Sequence, residues 1–156
     1  MKIIEVKNKI ALLTVILCGG FFSAQKWQPI YYVDYSYANR NQMKIGLEWF
    51  LNNSGNADKL FLGTGLGVVY HNERLQVLPD LHINYNTESG YFLKTGSSFS
   101  HAYIMGGISF LNFLDVGIGY SLPYQKEKMP IKGFTIGLTF RLTGDDNAYG
   151  KLKIGF

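Results

Sequence analysis

The chain has 156 residues, enough for one domain with one core, and 15% of them are aromatic, with eighteen glycines. Its formal charge is +4, of which Lys2, Lys7 and Lys9 less Glu5 supply +2, so the remainder carries only +2. That excludes the concentrated basic stripe that nucleic acid requires, and a single cysteine excludes a disulfide framework.

Residues 1–24 differ from the rest. Three lysines open the segment, an apolar run follows from Ile10 to Leu17 and on through Phe21 and Phe22, and Ser23 and Ala24 supply small residues before Gln25. This is the layout of a secretory signal peptide cleaved near Ala24. The apolar run is shorter than the roughly 20 residues of a spanning helix, the competing reading. A lipoprotein signal ending at Cys18 is disfavoured because Leu17 stands where a small residue belongs. Cleavage before Gln25 resembles export signals common in Bacteroidota. Removal of Cys18 with the signal leaves no thiol for catalysis or metal binding.

From Gln25 onward the dominant pattern is period-two alternation, the mark of strands with two unlike faces. Eight strands of about nine residues are expected, at 30–37, 43–51, 60–70, 77–85, 91–99, 102–110, 114–122 and 133–142. The last is the cleanest: Phe134, Ile136, Leu138, Phe140 and Leu142 alternate with Gly133, Thr135, Gly137, Thr139 and Arg141. In 43–51 only Phe50 breaks the rule, sharing a face with Lys44, Gly46 and Glu48. Polar, turn-rich stretches separate the strands. Pro79 cannot donate to a ladder, so it predicts a bulge or local break. Residues 151–156 alternate again, with Leu152, Ile154 and Phe156 on one face, so a ninth strand, or ten in all, is conceivable. The expected fold is all-β, an antiparallel up-and-down barrel of about eight strands over residues 25–156.

Alternation alone does not say which face meets solvent. Three features favour a barrel with its polar face inward. The polar face holds Gly46, Gly63, Gly65, Gly67, Gly117, Gly119, Gly133 and Gly137, which make room inside a narrow barrel and serve no purpose outside it. The same face carries a nearly balanced set: Asp34, Glu48, Asp80 and Asp115 against Lys44, Lys94 and Arg141, with His82 among them and His101 nearby. Buried charges must pair. Aromatic residues gather toward strand ends, including Tyr31, Tyr35, Trp49, Tyr70, Tyr85 and Tyr120, as suits a membrane–water interface. A soluble secreted barrel with an apolar pocket is the structural competitor.

The alternating segments and the final Phe156 give the mature chain a resemblance to bacterial outer-membrane β-barrels of the small, eight-stranded, porin-like class, whose last strand ends in an aromatic residue. That resemblance implies an outer-membrane location in a Gram-negative cell, contact with outer-membrane lipid, and reading of Phe156 by the barrel-assembly machinery.

Motifs for chemistry are weak. Gly63-Thr-Gly-Leu-Gly67 has the glycines of a nucleotide loop, but a strand and not a helix follows it. Ser98, Ser100 and His101 suggest a serine hydrolase, but neighbours on a strand face opposite ways, so Ser100 and His101 are not expected to share a proton. Asp80 and His82 share a face, yet a metal centre needs a further ligand from His71, His101 or elsewhere. No catalytic residue, metal or cofactor is assigned. The leading expectation is a non-enzymatic barrel whose salt-bridged interior fills its lumen, with a structural role or one of binding through the loops at 38–42, 71–75 and 123–130. A narrow solute channel is the first alternative, and a lipid A-modifying enzyme the next.

Overall fold

A computed structural model describes residues 29–51, 58–71, 73–124 and 131–143. The expected signal peptide at 1–24, the segment at 149–156 and Phe156 lie outside the described residues. Eight strands run in chain order: β1 (Ile30–Tyr37), β2 (Asn41–Phe50), β3 (Lys59–His71), β4 (Arg74–Asn86), β5 (Tyr91–Ser98), β6 (His101–Phe110), β7 (Leu114–Pro123) and β8 (Gly133–Leu142). Each pairs antiparallel with the next, and β8 returns to β1, closing the barrel with eight strands. The eight expected strands are therefore present: β1 and β8 have the expected bounds, β2, β3, β4, β6 and β7 are extended by one to three residues at one or both ends, and β2 and β5 end one residue early.

Every ladder holds one register along its whole length, so no bulge interrupts the facing of any strand. Pairs link Ile30 through Glu48, Gly63, His82, Gly96, Tyr103, Ser121 and Gly133. The β1–β8 register, continued by three residues, then returns to β1 at position 40. One circuit thus shifts by ten residues (40 − 30). On eight strands such a stagger tilts the strands by roughly 40° and gives a backbone radius of about 8 Å.

The bulge expected at Pro79 does not form. Leu66 pairs with Pro79 in an unbroken β3–β4 ladder, and the interruption falls on the other side, where β4–β5 pairing ends at Asp80 and Ser98. The Thr87 amide donates to Tyr91 O at 2.8 Å, so odd-numbered residues of β4 bond toward β5. Pro79 would need to donate to Phe99 and has no N–H, so β5 stops one residue short of that pairing.

The connections β1–β2, β3–β4, β5–β6 and β7–β8 lie at one end, here the upper end. Those of β2–β3, β4–β5 and β6–β7 lie at the lower end with residues 29 and 143. The upper links at 38–40 and 99–100 are short turns, and Asn39 in the first takes a left-handed φ of 57°, as does Glu73 just before β4, at 61°.

The two faces have opposite chemistry. Outward positions are apolar: Ile45, Leu66, Leu81 and Ile118 are 56–58% exposed. Every charged residue of the strands stands at an inward position, Arg74 alone among them being exposed, at the upper rim. This is the inverse of a water-soluble barrel.

Candidate functional site

Among the described residues, ionisable groups of both signs converge in the interior. Alternation turns Lys44 and Glu48 of β2, Asp80, His82, Asn84 and Asn86 of β4, Asp115 of β7 and Arg141 of β8 into it, and their side chains form one connected path. Near the upper end Lys44 Nζ donates to Asp80 Oδ1 at 2.9 Å, and the Tyr103 hydroxyl donates to the same carboxylate at 3.1 Å. His82 bridges onward, with Nδ1 2.8 Å from Asp80 Oδ2 and Nε2 2.8 Å from Glu48 Oε1. Arg141 then clasps Glu48 through Nε and Asp115 through a terminal nitrogen at 2.6 Å. At the lower end Asn84 donates to Asp115 at 3.0 Å, and Asn86 donates to Ser109 and to Asn112 at 2.7 and 2.9 Å. A second pair lies beside this path. Lys94 Nζ donates to Asp34 Oδ2 at 2.7 Å and to Thr139 at 3.1 Å, and the Thr139 hydroxyl donates to the same Asp34 oxygen.

All eight residues expected in the lumen network, Asp34, Lys44, Glu48, Asp80, His82, Lys94, Asp115 and Arg141, are thus buried and linked. Four carboxylates face three fixed cations. Carboxylates only accept, so if Asp80 and Glu48 are both ionised, both ring nitrogens of His82 donate and the ring supplies the fourth positive charge. Charge and hydrogen bonding then balance together.

Size matching fills the remaining space. Several large inward side chains lie where a glycine leaves room: Tyr32 against Gly46 and Gly65, His82 against Gly63, Tyr103 against Gly96, Phe92 against Gly107 and Gly117, Met105 against Gly119 and Gly137. A Cβ at Gly137 would stand 2.7 Å from the Met105 methyl, closer than atoms tolerate. Apolar clusters sit at both ends. Ala38, Val69, Leu78 and Ile131 pack together at the upper mouth, and Ile30 and Phe61, with Phe50 against them, at the lower. Phe50, the exception to alternation, is an inward residue at the end of its strand, where the apolar stopper takes over from the polar core.

These stoppers, with Tyr32, Tyr103, Asn84, Asn86 and Thr139, are among the lumen residues that sequence reasoning did not single out as site residues. Their parity marks them as inward, but their composition does not. Among the expected interface aromatics, Tyr31, Tyr35, Tyr70, Tyr85 and Tyr120 are exposed on the outer face, and Trp49 is half-buried there. The Tyr85 hydroxyl bonds Asp58, whose other oxygen accepts from the Glu88 amide at 2.9 Å. These two bonds hold the Asp58 carboxyl below the usual carboxylate range.

The three weak motifs resolve by position. Gly63, Gly65 and Gly67 lie inside β3, facing inward, with strand on both sides. The expectation that Ser100 and His101 could not share a proton is overturned. Residues 99–100 form a tight turn and not a strand, which brings Ser98 Oγ and Ser100 Oγ to 2.8 and 2.9 Å from His101 Nδ1. Ser98 Oγ also accepts from the Ser100 and His101 amides, both at 3.2 Å, so it stitches the turn. Among the described residues no carboxylate bonds His101 from behind to complete a triad. Both ring nitrogens of His82 lie 2.8 Å from carboxylate oxygens, and no cluster of three metal-ligating residues occurs among the described residues. No protein-family model, curated protein or solved structure matches the chain.

Proposed function

We propose that this chain is an exported outer-membrane β-barrel of a Gram-negative bacterium, whose lumen is closed by its own side chains and whose role is structural or one of surface binding. The observation that carries the reading is the facing of the strands: none of the outward strand positions bears a charge, and eight charged or histidine side chains are paired inside. Water would penalise that apolar surface, whereas hydrocarbon requires it. The dimensions agree. Ten-residue strands tilted by roughly 40° rise about 25 Å along the axis, the height of the apolar band of such barrels. Exposed aromatics mark both limits of the band, Tyr31, Tyr85 and Tyr91 below and Tyr37, Tyr70, Tyr120 and Phe134 above. Closure eliminates strand edges, as hydrocarbon demands of any spanning sheet.

The packed interior favours a closed barrel over a channel. Arg141 and Glu48 are 1% and 0% exposed, clasped across the lower half of the lumen, and an apolar stopper lies at each mouth. The signal at 1–24 would bring the chain to the assembly machinery, with Phe156 as its recognition residue.

The test is refolding of the mature chain from urea into detergent and lipid vesicles. Heat-modifiable gel migration and resistance to carbonate extraction are expected. A folded species that stays in aqueous solution without detergent overturns the membrane reading. Planar-bilayer recording is expected to stay silent, and resolved current steps would establish a channel.

A further inference from the structure

We infer that the upper rim from β8 to β4 binds the phosphate of anionic lipid headgroups through Lys132, Arg40 and Arg74. This rests on the membrane reading above and specifies which lipid the barrel selects. The two ends differ in charge. Among the described residues the upper end exposes Lys132 and Arg74, with Arg40 half-buried beside them and Glu73 as the one carboxylate. The lower end presents Asp58 and Glu88, while Lys59 turns inward with Nζ 5.0 Å from the centre of the Phe50 ring. Two of the cations sit on linked segments. Asn39 Oδ1 accepts from the Lys132 amide at 3.2 Å, tying the link before β8 to the β1–β2 turn that carries Arg40. Arg40 contributes its charge from the half-buried side of the rim, its Nε buried and without a hydrogen-bond partner among the described residues. Immediately below, Tyr37, Tyr70 and Phe134 are half or more exposed at the ends of β1, β3 and β8. Aromatic rings at interface depth with cations one step farther out match the layering of a phospholipid headgroup, where the phosphate lies outside the acyl carbonyls.

The experiment measures lipid selectivity with the refolded full mature chain in phosphatidylcholine vesicles. Spin-labelled phosphatidic acid and spin-labelled phosphatidylcholine are compared by the fraction immobilised on the protein. A several-fold preference for phosphatidic acid is expected, weakened by salt. Neutralising each cation, in Arg40→Gln, Arg74→Gln and Lys132→Gln, is expected to lower the preference by up to about five-fold, and Glu73→Gln to raise it. Heat-modifiable migration of each variant establishes that it is folded, and Lys132→Gln and Glu73→Gln, both at exposed positions, give opposite signs without touching the core. Equal immobilisation of the two lipids, or a preference that all three neutralisations leave intact, overturns the proposal. So does full displacement by inorganic phosphate, which would make the rim a site for the free ion. Absence of any immobilised lipid would instead sink the membrane reading itself.

Discussion

His82 stands between Asp80 and Glu48 with a ring nitrogen 2.8 Å from each. In His82→Gln the amide nitrogen serves one carboxylate, and the carbonyl oxygen meets the other. A buried charge that loses its partner costs about 3–5 kcal/mol. The urea midpoint of the detergent-refolded variant is expected to fall accordingly, followed by Trp fluorescence. Adding Asp80→Asn should recover part of the loss, because the two sites share one network. Space is the second residue-scale constraint. Gly63 lies against the His82 ring, whereas Gly106 faces outward with the nearest atom to an added Cβ, Phe92 O, at 3.4 Å. Gly63→Ala is expected to destabilise by about 1–3 kcal/mol through overpacking, and Gly106→Ala to be neutral or stabilising. Equal effects in the same denaturation assay would refute the cradle.

The β6–β7 link shows how an element can carry strain in service of the interior. Leu111 and Asn112 both adopt left-handed φ, 54° and 58°, in a two-residue turn closed by the Phe113 amide on Phe110 O at 2.9 Å. Asn112 suits that geometry and lends its side chain to Asn86, but Leu111 has no such compensation. Leu111→Asn is expected to raise the unfolding free energy by about 1 kcal/mol, read as a higher urea midpoint. The neighbouring β4–β5 link depends on pH. The folded-state pKa of Asp58 is lowered by its bonds to Tyr85 and the Glu88 amide, so the contribution is present above the unfolded carboxylate value and vanishes as pH falls through the lowered one. Protection of the Glu88 amide against hydrogen exchange should fall over that acidic range and be low at every pH in Asp58→Ala. At this scale the strands were legible because no ladder slips, so the parity that assigns Lys94 or Asp115 inward at one position holds along the whole strand. Partnerships across the lumen were not legible. Glu48 meets His82 two strands away on β4 and Arg141 two strands the other way on β8, so these partnerships depend on the registers of four ladders and on the closure of β8 onto β1. Turns hid the rest: His101 reaches Ser100 because the chain leaves strand geometry at 99–100, where parity says nothing.

The whole molecule inverts the usual division of polar and apolar surface, and depth separates the two environments that could explain it. Ile118 sits near the middle of β7 on the outer face, 56% exposed, and Tyr31 lies one residue from the lower end of β1, 61% exposed. In water a lysine at either place would be equally well solvated, and both substitutions would be close to neutral. In a bilayer Ile118→Lys places a cation near the hydrocarbon midplane, a loss of about 2–4 kcal/mol, whereas Tyr31→Lys can extend its ammonium to the headgroups at a cost of about 0–1 kcal/mol. Neither side chain touches the buried ion pairs, so the difference reports the surroundings and not the core. Measured as unfolding free energies in vesicles, a gap of at least about 1 kcal/mol between the two variants is expected. Equal values would mean that the apolar belt is covered by something other than lipid, and the closed lumen would then have to be reread as the core of a barrel buried in a protein assembly.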